Sequence, residues 1–262
     1  MSKKRNFFLD IDGTMLIRGR QELTDTLIEA LRYARSKGCK VFVNTGRTKV
    51  FIPYSIKTLD CFDGFVCGCG TYIECNGKTL NEYYIDTDEL IRLTDTFKAY
   101  MPNSNILFEG YERMYYFGVP QPWFASEGFI PIESSDYFKE VAFDVKIHKF
   151  SIHGSTEDKD RAEFFRIISD KFHTLEFPHY CESIPLGYDK GAAIRITEKA
   201  LGLDPSLCIA IGDSMNDAAM LKYAATSVAM GNSPDEVKAM CDNVIDTVDN
   251  DGVAKYIYEI IK

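Results

Sequence analysis

Two aspartates close the first apolar run of the chain, in Phe7 to Leu16, FFLDIDGTML. On an extended strand residues i and i+2 share a face, so Asp10 and Asp12 should project together from the strand's carboxyl end, where open α/β sheets hold their ligands. Two carboxylates that close repel each other unless a cation or a proton intervenes. The arrangement recurs in IGDSMND, where Asp213 and Asp217 follow a second apolar run. Four carboxylates at two strand ends are costly to assemble without a metal, and an all-oxygen donor set favours Mg²⁺ over zinc or copper. Other polar residues suit a phosphate. Thr45 follows the run KVFVN, Gly46 leaves the backbone close to any ligand, and Lys190 opens a helix after a loop that carries proline and glycine. Arg47 could reach the phosphate or a second anion, or serve only as a helix-start charge. Taken singly these signs are weak, because T-G-R is ordinarily a turn and a lone lysine a solvated charge.

The elements that must position these residues follow an alternating rhythm. Phe7–Leu9 reads as a buried strand. Thr24 can N-cap a helix with Leu27, Ile28, Leu31 and Ala34 on one face, stopped by Gly38. Lys40–Asn44 is a second strand, Thr45 to Arg47 a turn into another helix, and Phe65–Cys67 a third strand. Strands alternating with helices imply a parallel sheet with helices on both faces. From about Tyr83 the pattern changes to a helix at Asp88–Tyr100, short strands at Ile106–Phe108 and Met114–Phe117, an alternating stretch Asp144–His153, a helix over Asp158–Phe172, and strand-like pieces Thr174–Phe177 and Tyr180–Ile184 on either side of Pro178. After Gly187 the first rhythm returns, with a helix from about Gly191 to Leu201 and strands Leu207–Ile211 and Ser227–Met230. Ser233 and Glu236 have capping-box spacing around Pro234, and Val253–Ile261 is a final helix.

Bulk properties exclude several classes of protein. Asp and Glu outnumber Lys and Arg by 39 to 30, a net charge of −9, which argues against a nucleic-acid partner. No apolar run approaches the ~20 residues of a membrane span, and the segment after the basic MSKKRN is too short for a signal peptide. A cytoplasmic location with reduced thiols is therefore expected. Cys61, Cys67, Cys69 and Cys75 are close enough to suggest a zinc site, but they lack paired C-x-x-C spacing and read better as small core residues.

In order, D-x-D-G-T at Asp10, T-G-R at Thr45, Lys-Gly at Lys190 and G-D-x-x-N-D at Asp213 resemble the four signature motifs of the haloacid dehalogenase superfamily. The Asn before Asp217 and the tail VDNDGVAKYI look like its Cof-type phosphatase branch. The resemblance implies an α/β fold, a Rossmann-like parallel-sheet core with a second, smaller α+β cap domain. It implies Mg²⁺-dependent hydrolysis of small phosphorylated metabolites through an aspartyl-phosphate. Asp10 would be the nucleophile and Asp12 the general acid and base. Thr45, Gly46, Arg47, Lys190 and Asn216 would serve the phosphoryl group or its surroundings. Asp10, Asp12 (through its backbone carbonyl), Asp213 and Asp217 would serve the metal. A phosphomutase of the same fold and a non-catalytic phospho-ligand binder are the alternatives.

The span from Asp12 to Thr45 has room for one helix and one strand, whereas that from Thr45 to Lys190 is far longer than a loop needs. The insertion is therefore expected at 83–186, with the core formed by 1–82 and 187–262. Within the insertion Glu109, Tyr111, Arg113, Trp123, Lys146 and His148 are candidates to face a ligand, though an ordinary surface or core role is the more natural reading of each. Two departures from the branch stand out: Cys69-Gly70 replaces its Asn-Gly, and Asp189 rather than a small hydroxyl residue precedes Lys190.

Overall fold

The computed structural model describes residues 4–141, 145–154, 160–177 and 179–261. The chain divides into two compact units, one of Met1–Arg47, Phe51–Glu82 and Tyr188–Lys262, the other of Thr48–Val50 and Tyr83–Gly187. The first unit starts with β1 (Asn6–Leu9), α1 (Asp25–Ser36), β2 (Lys40–Asn44), α2 (Tyr54–Lys57), β3 (Gly64–Cys67), β4 (Tyr72–Cys75) and β5 (Lys78–Glu82). The second holds α3 (Thr87–Tyr100), β6 (Ser104–Gly110), β7 (Met114–Gly118), α4 (Pro122–Ser126), β8 (Ile130–Pro131), α5 (Tyr137–Glu140), β9 (Ile147–Gly154), α6 (Arg161–Ile168), β10 (Phe172–Glu176) and β11 (Tyr180–Pro185). The first unit is completed by α7 (Lys190–Leu201), β12 (Cys208–Gly212), α8 (Ala218–Tyr223), β13 (Thr226–Ala229), α9 (Asp235–Ala239), β14 (Asn243–Val244) and α10 (Gly252–Ile260).

In the first unit eight strands lie in the order β14-β13-β12-β1-β2-β3-β4-β5. The pairings from β14 through β3 are parallel, while β3–β4 and β4–β5 are antiparallel. β1 sits between β12 and β2, buried along its whole length, which is why NFFL needs no polar alternation. Phe8, Phe42, Val66 and Ala210 join Ala193, Ile194, Met220, Leu221 and Val237 in one apolar layer beneath α7, α8 and α9. α1 packs on α10, with Tyr33 and Tyr258 rings 5.2 Å apart. Thr24 caps α1 as its sequence position suggests, accepting from the Leu27 amide at 3.2 Å.

Three local expectations need correction. The helix foreseen after Thr45 to Arg47 is two short turns, Lys49–Phe51 and α2, because Pro53 cannot continue a helical run. The antiparallel pair β4–β5 escaped notice, although Asn76-Gly77 between the strands adopts the positive φ values, 49° and 75°, that a tight hairpin turn demands. The capping box at Ser233 does not form. Pro234 occupies the cap position of α9 in an extended conformation, and the Ser233 hydroxyl is buried without a hydrogen-bond partner. That motif appears instead at Ser214 and Asp217.

The second unit has a sheet in the order β10-β11-β9-β6-β7-β8, antiparallel except for β7–β8. Its apolar face, with Ile106, Phe108, Phe150 and Ile152, packs on Leu93 and Phe97 of α3, Phe138 of α5 and Phe164 of α6. β6, β7, β9, β10 and β11 overlap the strands the sequence suggests, while β8, α4 and α5 were not foreseen. Residues 144, 158, 159 and 178 of the expected elements lie outside the described residues, and the helix begins at Arg161.

Candidate active site

The carboxyl ends of β1 and β12 bring Asp10 and Asp213 together, since the two strands pair in register from Asn6↔Cys208 to Leu9↔Ile211. Asp217 joins them from the turn after β12, and ligand oxygens of the three buried carboxylates all lie within 4.8 Å of one another. Gly13 makes this approach possible. Its φ of 82° is a left-handed value, and any Cβ there would run into the Asp213 carboxylate.

Lys190, at the first turn of α7, enters the same cluster with its side chain 1% exposed. Its ammonium donates to Asp10 Oδ1 at 2.7 Å and to Asp217 Oδ1 at 2.5 Å. The other Asp217 oxygen accepts from the backbone amides of Asp213 and Ser214, at 2.9 and 3.0 Å. Asp217 thus anchors both the turn and the lysine, which leaves Asp10 and Asp213 as the carboxylates with more capacity for a cation. The residue before Lys190 serves the helix: Asp189 N-caps α7, its carboxylate accepting from the Ala192 amide at 2.6 Å. A serine or threonine hydroxyl would do the same.

The electrostatics follow from these neighbours. Burial is the main force pushing the Asp10 carboxyl up to about 8. Lys190 opposes the rise, and the Asp217 and Asp12 charges add to it. Burial and Asp217 push Asp213 up to about 6. Burial alone would depress Lys190, but Asp10 and Asp217 hold it above its ordinary value. One buried ammonium among three buried carboxylates, with the exposed Arg18 guanidinium 3.8 Å from Asp213, still leaves excess negative charge, and a divalent cation is the natural way to offset it. The donor set, carboxylate oxygens only, fits Mg²⁺.

Thr45 and Gly46 are buried at the end of β2, next to β1. Thr45 Oγ1 accepts from the Arg47 amide at 3.1 Å. Asp12 stands apart from the buried trio: its side chain is 50% exposed and grips Arg47 in a two-point ion pair. Asn216 forms no hydrogen bond with Lys190 among the described residues, and its Oδ1 is buried without a partner.

Two residues that sequence reasoning passed over support the site. Asn44 donates to the Lys190 carbonyl at 2.9 Å, tying β2 to α7. Asn232 donates to the Gly13 carbonyl at 2.8 Å and accepts from the Val248 amide at 2.9 Å, bracing the loop after β1. Asn44 is a polar residue at the end of an apolar strand, a signal of the same kind as that of Asp10, whereas Asn232 lies in the turn three residues beyond β13. Cys69, where the branch has Asn, is buried and left-handed at φ 56°. Asn tolerates that conformation better than most residues, so the departure costs backbone strain.

In the second unit Glu109 is buried against Lys149 at 3.3 Å, and Lys149 also meets Glu182 at 2.9 Å. His148 bonds the Tyr83 carbonyl through Nδ1 at 2.7 Å, Tyr111 lies edge-on to His148, and Lys146 covers the Tyr84 ring. Arg113 is exposed. Trp123 lies in α4 rather than a loop and packs on Phe124, Phe129 and His153. His153 also stacks on Tyr180 and meets Ser151, partners the sequence did not disclose. Seven of the eight cysteines are buried. Among the described residues no helix is long and apolar enough to cross a membrane.

The chain is similar to several known proteins. The profile of a family described as haloacid dehalogenase-like hydrolase matches residues 7–257. The 5-amino-6-(5-phospho-D-ribitylamino)uracil phosphatase YcsE of Bacillus subtilis is 30% identical over 256 residues, spanning 95% of this chain and 92% of that protein. The pyridoxal phosphate phosphatase YbhA of Escherichia coli is 28% identical over 284 residues, spanning 95% and 96%. A crystal structure of a haloacid dehalogenase-like hydrolase from Bacteroides thetaiotaomicron superposes with a TM-score of 0.83 at 24% identity, covering 99% of this chain and 100% of the other.

Proposed function

Because the chain belongs to the haloacid dehalogenase-like hydrolases, in their Cof-type branch, we propose that it is a Mg²⁺-dependent phosphatase of small phosphorylated metabolites, working through an aspartyl-phosphate on Asp10. The observation that carries this reading is the buried cluster of Asp10, Asp213 and Asp217 around the Lys190 ammonium. Asp10 and Asp213 would hold the metal with the backbone carbonyl of Asp12, while Asp217 would support its water shell. Bound there, Mg²⁺ supplies positive charge to the phosphoryl oxygens and keeps the nearby carboxylates ionised.

The protein's own residues then divide the work. An Asp10 carboxylate oxygen bonds to phosphorus as the ester P–O bond breaks, and Asp12 gives the leaving oxygen its proton. Water next attacks the phosphorus of the acyl phosphate, Asp12 takes a proton from that water, and the bond to Asp10 breaks to release inorganic phosphate. Lys190 and Thr45 steady the charge on the transferring oxygens. The second unit, 83–186, is read as the cap that selects the leaving group. The relatives act on a phosphoribityl compound and on pyridoxal phosphate, which favours phosphorylated sugars, polyols or cofactors as the substrate class.

The test is phosphate release from a panel of such esters, with and without Mg²⁺. Release that needs Mg²⁺ and vanishes in Asp10→Asn is the expected result. Conversion of a hexose 1-phosphate to its 6-phosphate would mark a mutase instead. Binding of phosphate esters without turnover would mark a protein that has lost the reaction.

A further inference from the structure

Arg47 is turned to Asp12. Its Nε donates to Asp12 Oδ2 at 2.7 Å and its Nη2 to Asp12 Oδ1 at 2.6 Å, a two-point fork on one carboxylate. Its Nη1 donates to the Phe51 carbonyl at 2.8 Å. The backbone of Arg47 is fixed as well, its amide on Thr45 Oγ1 at 3.1 Å and its carbonyl accepting from the Gly68 amide at 2.8 Å. Each guanidinium nitrogen is therefore engaged, and the edge formed by Nε and Nη2 is committed to Asp12.

Asp12 has reason to need such a partner. The side chains of Asp10, Asp213 and Asp217 are 7%, 4% and 0% exposed and are held by burial and the ions around them. Asp12, at 50%, would otherwise be free to turn among rotamers in solvent. A planar guanidinium that grips both oxygens fixes the direction of the carboxylate, which a lysine ammonium cannot do. The pin to Phe51 makes the guanidinium a fixed post rather than a second mobile side chain.

We propose that Arg47 is a positioning residue for Asp12, holding the proton-transferring carboxylate clear of the buried trio and directed to the leaving-group side. The inference rests on the functional reading above and gives Arg47 a role different from binding phosphate.

Leaving-group dependence tests it. A p-nitrophenyl ester needs little proton donation to depart, whereas an alkyl phosphate such as glycerol phosphate needs much. In Arg47→Lys and Arg47→Gln, kcat/KM for the alkyl ester should fall about 10²-fold, the scale of general acid–base catalysis, while kcat/KM for the aryl ester changes little. With the aryl ester, kcat and KM should fall together, because hydrolysis of the aspartyl-phosphate also needs Asp12, and a burst of p-nitrophenol should appear. The burst amplitude counts folded, competent sites. Asp12→Asn combined with Arg47→Lys should lose no more on the alkyl ester than Asp12→Asn alone. Equal losses for the two esters with a raised KM, losses that add in the double variant, or unchanged kinetics in both Arg47 variants would overturn the proposal. Absence of Mg²⁺-dependent release from the wild-type protein would instead remove the functional reading, and this inference with it.

Discussion

Three buried carboxylates meet at this site, two of them on the Lys190 ammonium and Asp213 near the exposed Arg18, and their surplus charge should make stability depend on pH. Asp10 is pushed up to about 8 and Asp213 to about 6, against an ordinary value of 3.8. Without a divalent cation the folded protein holds protons that the unfolded chain has already released. The contribution of these groups to stability is therefore greatest below about pH 4 and declines as the pH rises through about 6 and 8. On the proposed function Mg²⁺ would replace the protons, so the rise in unfolding temperature on adding Mg²⁺ should grow from pH 5 to pH 8. A thermal melt series with Mg²⁺ or EDTA checks this, and a Mg²⁺ shift independent of pH would contradict it. The sequence pointed to Asp10, Asp213 and Asp217, which the folded chain gathers, because carboxylates at strand ends are chemical signals, whereas Asp12 does not project with Asp10 as its spacing suggested. The sequence could not disclose the Arg47–Asp12 fork, since which anion an arginine meets depends on rotamers set by the folded turn.

The elements differ in how openly they declare themselves. β1, β2 and β12 were legible because buried parallel strands read as unbroken apolar runs bounded by turns. β4 and β5 were missed, since YIEC and KTLNE carry weak apolar patterns and only Asn76-Gly77 announced the hairpin. Ser233 misled because a proline at the cap position holds the serine one residue too early to reach the helix amides. Asp189 was an oddity in sequence and became a helix cap in structure. Removing it in Asp189→Ala should cost about 1 kcal/mol of stability, and Asp189→Ser should recover most of that loss. Urea unfolding of the two variants measures it. Equal destabilisation by Ala and Ser would mean that the aspartate acts through its charge rather than as a cap.

For the whole molecule, the long span between Thr45 and Lys190 in the sequence predicts an inserted segment, and the structure has a compact unit of Thr48–Val50 and Tyr83–Gly187 with its own apolar cluster. What that unit recognises was not legible. Glu109 and Lys149 spend their charges on each other, and Tyr111 and His148 pack together, so residue type alone says little about which side chains meet a ligand. If the unit selects substrates, deleting 83–186 from a chain that still folds should flatten the ranking of phosphate esters while sparing attack by Asp10. An unchanged ranking would contradict that role. The central claim is covalent, and it has a direct test. The protein is mixed with Mg²⁺ and a rapidly hydrolysed aryl phosphate, quenched in acid within the first turnover, and digested for mass spectrometry. A single added phosphoryl group on Asp10, absent from Asp10→Asn, is the predicted result. Phosphate released with no phosphoryl group on any peptide, or one carried by a different residue, would contradict the account.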